Sequence, residues 1–222
     1  MGVGAAPAIV GDPVRMTGTT RLSIFPLPGA LLFPHLHLPL HIFEPRYRAM
    51  VSDAMARDRR IAMIQPRPDS DDPAAPALFD IGCVGRIAEV EALDDGRYNL
   101  ILQGVALFRI VREIVVTTPF RQVEAELLPV AEEETLSLGE RASLELESRR
   151  FAEAHGYAVD WKAVGRLDDT SLVNGIAQIA PFDVAAKQAL LEVGSLAGRA
   201  ELLVQLMQFF GRHDGEERVT LQ

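Results

Sequence analysis

The chain has 222 residues, 48% of them apolar, and a formal charge of −9 at pH 7. That is enough for one large domain or two small ones with a sizeable core, and the acidic balance argues against a nucleic-acid binder, which must neutralise phosphates. No apolar run approaches the ~20 residues that span a bilayer, and the lone Cys83 rules out an intramolecular disulfide framework, so a soluble cytoplasmic protein is expected.

The charge is unevenly spread. Residues 1–130 hold 15 acids and 13 Arg/Lys, a balance of −2; residues 131–222 hold 16 acids and 9 bases, a balance of −7. This shift hints at two subdomains. The first twenty residues have no basic segment ahead of their apolar part and are interrupted by Pro, Gly and Asp, so they read as a disordered tail rather than a signal peptide.

The stretch Leu22–Tyr47 opens the structured part. A short apolar run, Leu22 to Leu27, stops at Pro28-Gly29, and a second, Leu31 to Phe43, is broken by Pro34 and Pro39. Pro donates nothing to a ladder, so these runs predict edge strands, bulges or sharp corners. A helix is predicted from Pro45 to about Arg57, with Tyr47, Met50, Val51, Ala54 and Met55 at helical spacing. Ile61–Gln65 reads as a buried strand. The Pro- and Asp-rich segment 66–80 reads as an exposed loop, either functional or simply mobile.

Strand patterning resumes at Ile81–Leu93 and turns at Asp94-Asp95-Gly96, where glycine supplies the positive φ of a hairpin. Arg97–Gln103 returns as the partner, and Gly104 marks a bulge or a close backbone approach. Ala106–Val116 and Phe120–Leu128 add two further strand-like runs. After Pro129 the pattern becomes helical over Leu136–His155, with Gly156 as its cap. A turn follows at Trp161–Leu167, then a helix capped by Asp168 or Asp169 and stopped by Pro181. Asp183 caps Val184–Val193, and Ser195 caps Leu196–Phe210, which Gly211 ends. The last helix is apolar around most of its circumference, so it is either central to a bundle or offers a sticky face to a partner.

The order of these motifs resembles the N-terminal, substrate-recognition domain of Lon-type ATP-dependent proteases. The likeness rests on Leu22–Leu27, Leu31–Pro34, Pro39-Leu40 and Phe43–Tyr47. It continues through Ile81–Ile87, Asp95-Gly96, Leu102–Ile110 and Pro181–Glu192, and spans about residues 21–210. It implies an α+β chain: a PUA-like small β-barrel or curled sheet with one interposed helix over residues 21–129, a helical bundle over 130–211, and a mobile tail over 212–222. A related domain occurs in cereblon-like proteins. In the full proteases such a domain engages unfolded substrates and supports oligomerisation, while other domains hydrolyse ATP and cleave. Unfolded polypeptide, a separate protease or ATPase, and weak self-association are therefore the partners the resemblance implies.

Catalytic chemistry finds no support in the residues. No G-x-x-x-x-G-K-[ST] loop exists, and the only lysines, Lys162 and Lys187, sit in no such setting. Ser195 after Gly194 is an ordinary helix cap. His35, His37 and His41 would share one face of a strand, but no acid or cysteine lies at metal-like spacing, so neither metal nor cofactor is expected. Cys83, in an apolar strand, is expected to be buried and inert, and Asp69, Asp71 and Asp72 to belong to a solvated loop. The expected function is non-catalytic polypeptide binding, by strand addition at an exposed edge near Leu31–Phe43 or in a groove between sheet and bundle. The candidate site residues are Leu31, Phe33, Phe43, Glu44, Arg46, Tyr47, Phe108 and Arg109. The arginines of the motif segments, Arg46, Arg86 and Arg109, could meet peptide carboxylates or Glu44 and Glu89 within the fold. The alternative is a small molecule or nucleotide, or an unrecognised enzyme, in the PUA-like barrel.

Overall fold

The computed structural model describes residues 18–70, 75–129 and 134–217, with side chains through Gly211. Most of the N-terminal segment, Asp71 and Asp72, the start of the Glu132–Glu134 run and the last five residues lie outside the described residues. Six strands come first, with one helix among them: β1 (Thr19–Pro26), β2 (His37–Ile42), α1 (Pro45–Ala56), β3 (Arg60–Ile64), β4 (Ile81–Ala92), β5 (Tyr98–Ile114) and β6 (Gln122–Leu127). Five helices follow: α2 (Leu138–Ala154), α3 (Trp161–Val164), α4 (Asp169–Ile179), α5 (Val184–Glu192) and α6 (Leu196–Glu217). The first strand thus begins inside the segment expected to be a tail, and α6 runs on past Gly211, since one glycine costs a helix only about 1 kcal/mol.

The strands form one mixed sheet in the order β2-β5-β4-β3-β1-β6, and β6 curls back to pair with the far half of β5. Only β1 and β3 run parallel. Strand β2 hangs outside this closure as an edge, so the architecture is a curled mixed sheet rather than a true barrel. Two differences from the sequence reading have physical causes. Gly104 does not split β5, because the ladder to β4 slips by one residue there, pairing Val84 with Ala106 and Gly85 with Gly104, and the strand continues. The apolar run from Leu31 yields a strand only from His37, because Leu31–Phe33 is used elsewhere.

That tripeptide joins the two halves. Leu31 and Phe33, on one side of an extended backbone, enter the core shared with Leu144, Leu172, Leu190, Leu203 and Met207 of the helices. Leu32, on the other side, enters the sheet core with Phe25, Met50, Ile61 and Leu102. The backbone lies so close to β5 that a Cβ on Gly104 would stand 2.0 Å from the Phe33 carbonyl oxygen. Over the Phe33 ring, at 4.9 Å, sits the guanidinium of Arg199 from α6. It donates to the carbonyls of Leu190 and Val193 at 2.8 Å each and to Asn174 Oδ1 at 2.9 Å. Leu190 and Val193 close the C-terminal end of α5, where carbonyls lack helical partners and the dipole favours a cation. Burial pulls the Arg199 pKa down and Glu134 partly offsets this.

Polar side chains also cross the seam, paired except for the buried Gln178 Oε1, which has no hydrogen-bond partner among the described residues. Gln65 Nε2 donates to Gln188 Oε1 at 3.1 Å, and Gln188 Nε2 to the Ile81 carbonyl at 3.0 Å. Lys187 Nζ donates to the carbonyls of Gly29 and Gln178, and burial pulls its pKa down. In the bundle, α6 packs against α2, α4 and α5, so its broad apolar surface is central. The helix caps follow the sequence: Ser137 and Glu140 form a capping box, and Asp168 and Asp183 accept from the N–H groups of Ser171 and Ala186. Asp169 takes a different partner, Arg141.

Replacing Arg199 by Ala leaves two helix-end carbonyls and the Asn174 amide oxygen unpaired, and should lower unfolding free energy by about 1–3 kcal/mol, read by urea denaturation. Burial pushes the Cys83 thiol from 9.0 up to about 12. It should stay unlabelled by Ellman's reagent at pH 8 until the protein unfolds. Because the folded value is raised, its stabilising share is intact below about pH 9 and is lost as pH rises toward about 12. Stoichiometric labelling of the folded protein at pH 8 would contradict this burial.

Candidate functional site

A groove starts where β1 ends and β2 runs into α1. Pro45 occupies the first helical position, so Glu44 keeps an extended backbone and its carbonyl accepts from Tyr47 and Arg48 N–H. The Glu44 carboxylate, unused as a cap, takes the Arg46 Nε at 2.9 Å. The Arg46 guanidinium lies 4.5 Å above the Tyr47 ring, and that ring packs 4.3 Å from Phe25. Burial raises the Tyr47 hydroxyl pKa, with Arg46 pulling the other way. Phe43, at the corner between strand and helix, is left 61% exposed.

The opposite wall comes from the 66–80 loop and the chain entering β6. Arg121 makes a two-pronged pair with Glu113, 2.7 Å at each oxygen, and donates to the Pro76 carbonyl at 2.8 Å. It thereby pins the loop to the sheet and holds the Glu113 carboxyl below its usual range. Arg67 donates to the Leu78 carbonyl at 2.9 Å and stacks on Phe79 at 4.8 Å. Between these walls lies an open groove of about 540 Å³ whose lining includes Pro26, Pro39, Phe43, Tyr47, Arg67 and Arg121. A second, shallower hollow of about 520 Å³ lies on the outer sheet face, over Pro39, His41, Glu89, Glu91, Asn99 and Ile101. Strand β2 is the ridge between them.

The eight sequence candidates divide. Phe43, Glu44, Arg46 and Tyr47 all line the groove. Leu31, Phe33 and Phe108 are at most 2% exposed and belong to the cores, so the apolar groove expected between sheet and bundle is filled by its own side chains. Arg109 is exposed on β5 opposite Ile81 and Glu126, apart from the groove. Arg46 meets Glu44 within the fold, while Arg86 and Arg109 make no ion pair among the described residues. Sequence reasoning missed Phe25, Arg67, Pro76 and Arg121. Only the Pro-rich character of the loop could have pointed to two of these, and nothing local marks Arg121.

The remaining expectations concern chemistry. His35 sits in the left-handed region at φ 69° and leaves the line of His37 and His41, and no group of three or more metal-ligating side chains occurs among the described residues. Ser195 caps α6, its hydroxyl accepting from Gly198 N–H at 3.2 Å. No helix among the described residues is long and apolar enough to cross a membrane.

Comparisons with known proteins bear on the family and the fold. The family model described as the ATP-dependent protease La (LON) substrate-binding domain matches residues 21–208. The chain is 29% identical over 197 residues to Lon protease 2 of Myxococcus xanthus, covering 84% of this chain and 23% of that protein. It is 25% identical over 198 residues to the Lon protease of Escherichia coli K12, covering 85% and 24%. The chain thus spans about a quarter of the length of these relatives. Among solved structures, a Lon N-terminal domain protein from Xanthomonas campestris superposes with a TM-score of 0.63 at 20% identity, covering 84% of this chain and 98% of that one. The N-terminal domain of a Mycobacterium avium complex Lon protease gives 0.62 at 17% identity, covering 85% and 98%, and both likenesses speak for the fold. With a family match that takes in both the sheet and the bundle, the chain belongs to the Lon substrate-binding domain family.

Proposed function

We propose that this domain is a non-catalytic module that holds extended, partly apolar polypeptide segments in the groove beside β2, for delivery to an ATP-dependent protease in the cytosol. The observation that carries this reading is Phe43. A large aromatic side chain, 61% exposed, stands at the mouth of a groove walled by prolines and aromatics. Exposing it costs hydrophobic free energy that a partner would recover, about 2 kcal/mol for full burial. The family's description as a substrate-binding domain supports the same reading. A compact metabolite is a poorer fit, because small-ligand sites enclose most of their ligand, and this groove leaves Phe43 at its mouth exposed to solvent.

The arginines add polar anchoring without chemistry. Arg46 is held by Glu44, and Arg121 by Glu113, so each keeps a fixed direction and part of its donor set. Such pre-fixed guanidinium groups can donate to peptide carbonyls or a carboxylate at small entropic cost.

Phe43→Ala should weaken binding of a fluorescently labelled, reduced and carboxymethylated model protein about 5- to 30-fold by anisotropy, with the melting temperature unchanged. Unaltered affinity in a folded variant would remove the groove from the proposal. The isolated chain is expected neither to hydrolyse ATP nor to cleave casein, and turnover in either assay would contradict a purely binding role.

A further inference from the structure

The free edge of β2 presents an incomplete set of backbone hydrogen-bonding groups. The Leu36 carbonyl accepts from Gly104 N–H at 2.9 Å, so the even-numbered residues Leu38, Leu40 and Ile42 direct their backbone toward β5. His37, Pro39 and His41 therefore direct theirs outward, and no strand pairs with that edge among the described residues. Two of the outward groups are missing. Pro39 has no N–H, and the His37 carbonyl is already engaged by Gln178 Nε2 from α4 at 2.8 Å. What remains is a donor on His37, an acceptor on Pro39, and both on His41.

From this pattern we propose that β2 takes an added antiparallel peptide strand in one register, with a backbone requirement that differs at each position. This rests on the polypeptide-binding reading and deepens it. Let the peptide residue opposite His41 be the first; it makes two hydrogen bonds. The third, opposite Pro39, needs its N–H. The fifth, opposite His37, has no acceptor for its N–H and accepts proline or an N-methyl group there without loss. Residues one, three and five share the face of the His37, Pro39 and His41 side chains. On that outer face His41 meets Asn99 and the Arg97 guanidinium, and Glu89 and Glu91 stand on β4, beyond β5, with Glu91 accepting from Asn99. Long polar side chains such as Lys at positions one and three lie along the solvent face over His41 and Pro39. Residues two and four turn into the other groove, toward Phe25 and Tyr47, and are apolar. The occupant is thus an extended segment alternating polar and apolar residues. Exposed Ile179, the residue after Gln178, stands near the His37 end of the edge and Phe43 at the other.

The test uses the whole chain and a labelled peptide, acetyl-Lys-Leu-Lys-Phe-Thr-Val-amide, with single N-methyl groups at its first, third or fifth residue. Methylation at the first or third residue should weaken binding at least tenfold, and at the fifth less than twofold. Gln178→Ala frees the His37 carbonyl, so in that variant fifth-residue methylation should weaken binding about fivefold. Pro39→Val supplies the missing donor and should tighten the unmethylated peptide. Melting temperatures identify any variant that fails to fold, and the three methylated peptides still decide the matter on the unaltered chain. Equal losses at all three positions, or sensitivity at the second and fourth residues in a wider scan, overturn the register. Binding of denatured protein without binding of this peptide also overturns it while leaving the polypeptide reading in place; binding of neither overturns both.

Discussion

The structure depends on Leu31-Leu32-Phe33. Two side chains of this extended tripeptide fill the helical core and the third fills the sheet core, so neither core is complete without it. Each fully buried Leu or Phe contributes about 1.5–3 kcal/mol relative to exposure, and here the contribution falls at the junction. Arg199 on Phe33 fastens the same segment to the end of α5 and to Asn174 of α4. Sheet and bundle are therefore joined by shared apolar volume and shared hydrogen bonds rather than by a linker.

This arrangement fixes what lies on either side of the tripeptide. Upstream, Pro26–Pro28 is held at the groove; downstream, the turn at His35 delivers β2 to the outer edge of β5. Gln178 comes from α4 and Lys187 from α5, so the helices set the position of the β2 edge and of the Gly29 turn directly. The proposed binding groove, made by a strand, a helix start and a loop, is thus tied to the bundle, and a pre-formed wall of this kind lowers the ordering cost of binding.

Much of the fold was legible because local rules and tertiary structure agree. The hairpin at Gly96 (φ 79°), the Pro45 helix start and the Asp183 cap are settled by the chemistry of a few neighbouring residues. Of the candidate residues, those whose place along the groove was legible are the local ones, over Phe43–Tyr47. Leu31, Phe33 and Phe108 went astray because an apolar residue in a strand-like run looks the same whether it faces a groove or a core, and here the helices supply the cover. Arg121 was illegible for the converse reason: its role comes from Glu113 and Pro76, brought to it by the curl of the sheet. His35 shows the limit of period-two reasoning, since one left-handed residue takes it out of the row.

The sheet also has an order of assembly written into its pairing. Strand β1 bonds to β3 on one side and to β6 on the other, with Thr19 opposite Glu126. Leu22 and Ile24 pack in one cluster with Ala62, Ile64, Val84 and Phe108 of the middle strands and with Val123 and Ala125 of β6, which completes it last. Long-range pairings of this kind are slow to form because loop closure precedes any gain. During synthesis, β3 follows the first strand after about forty residues and can pair with one of its edges, whereas the edge that Thr19–Ser23 offers to β6 waits for about a hundred.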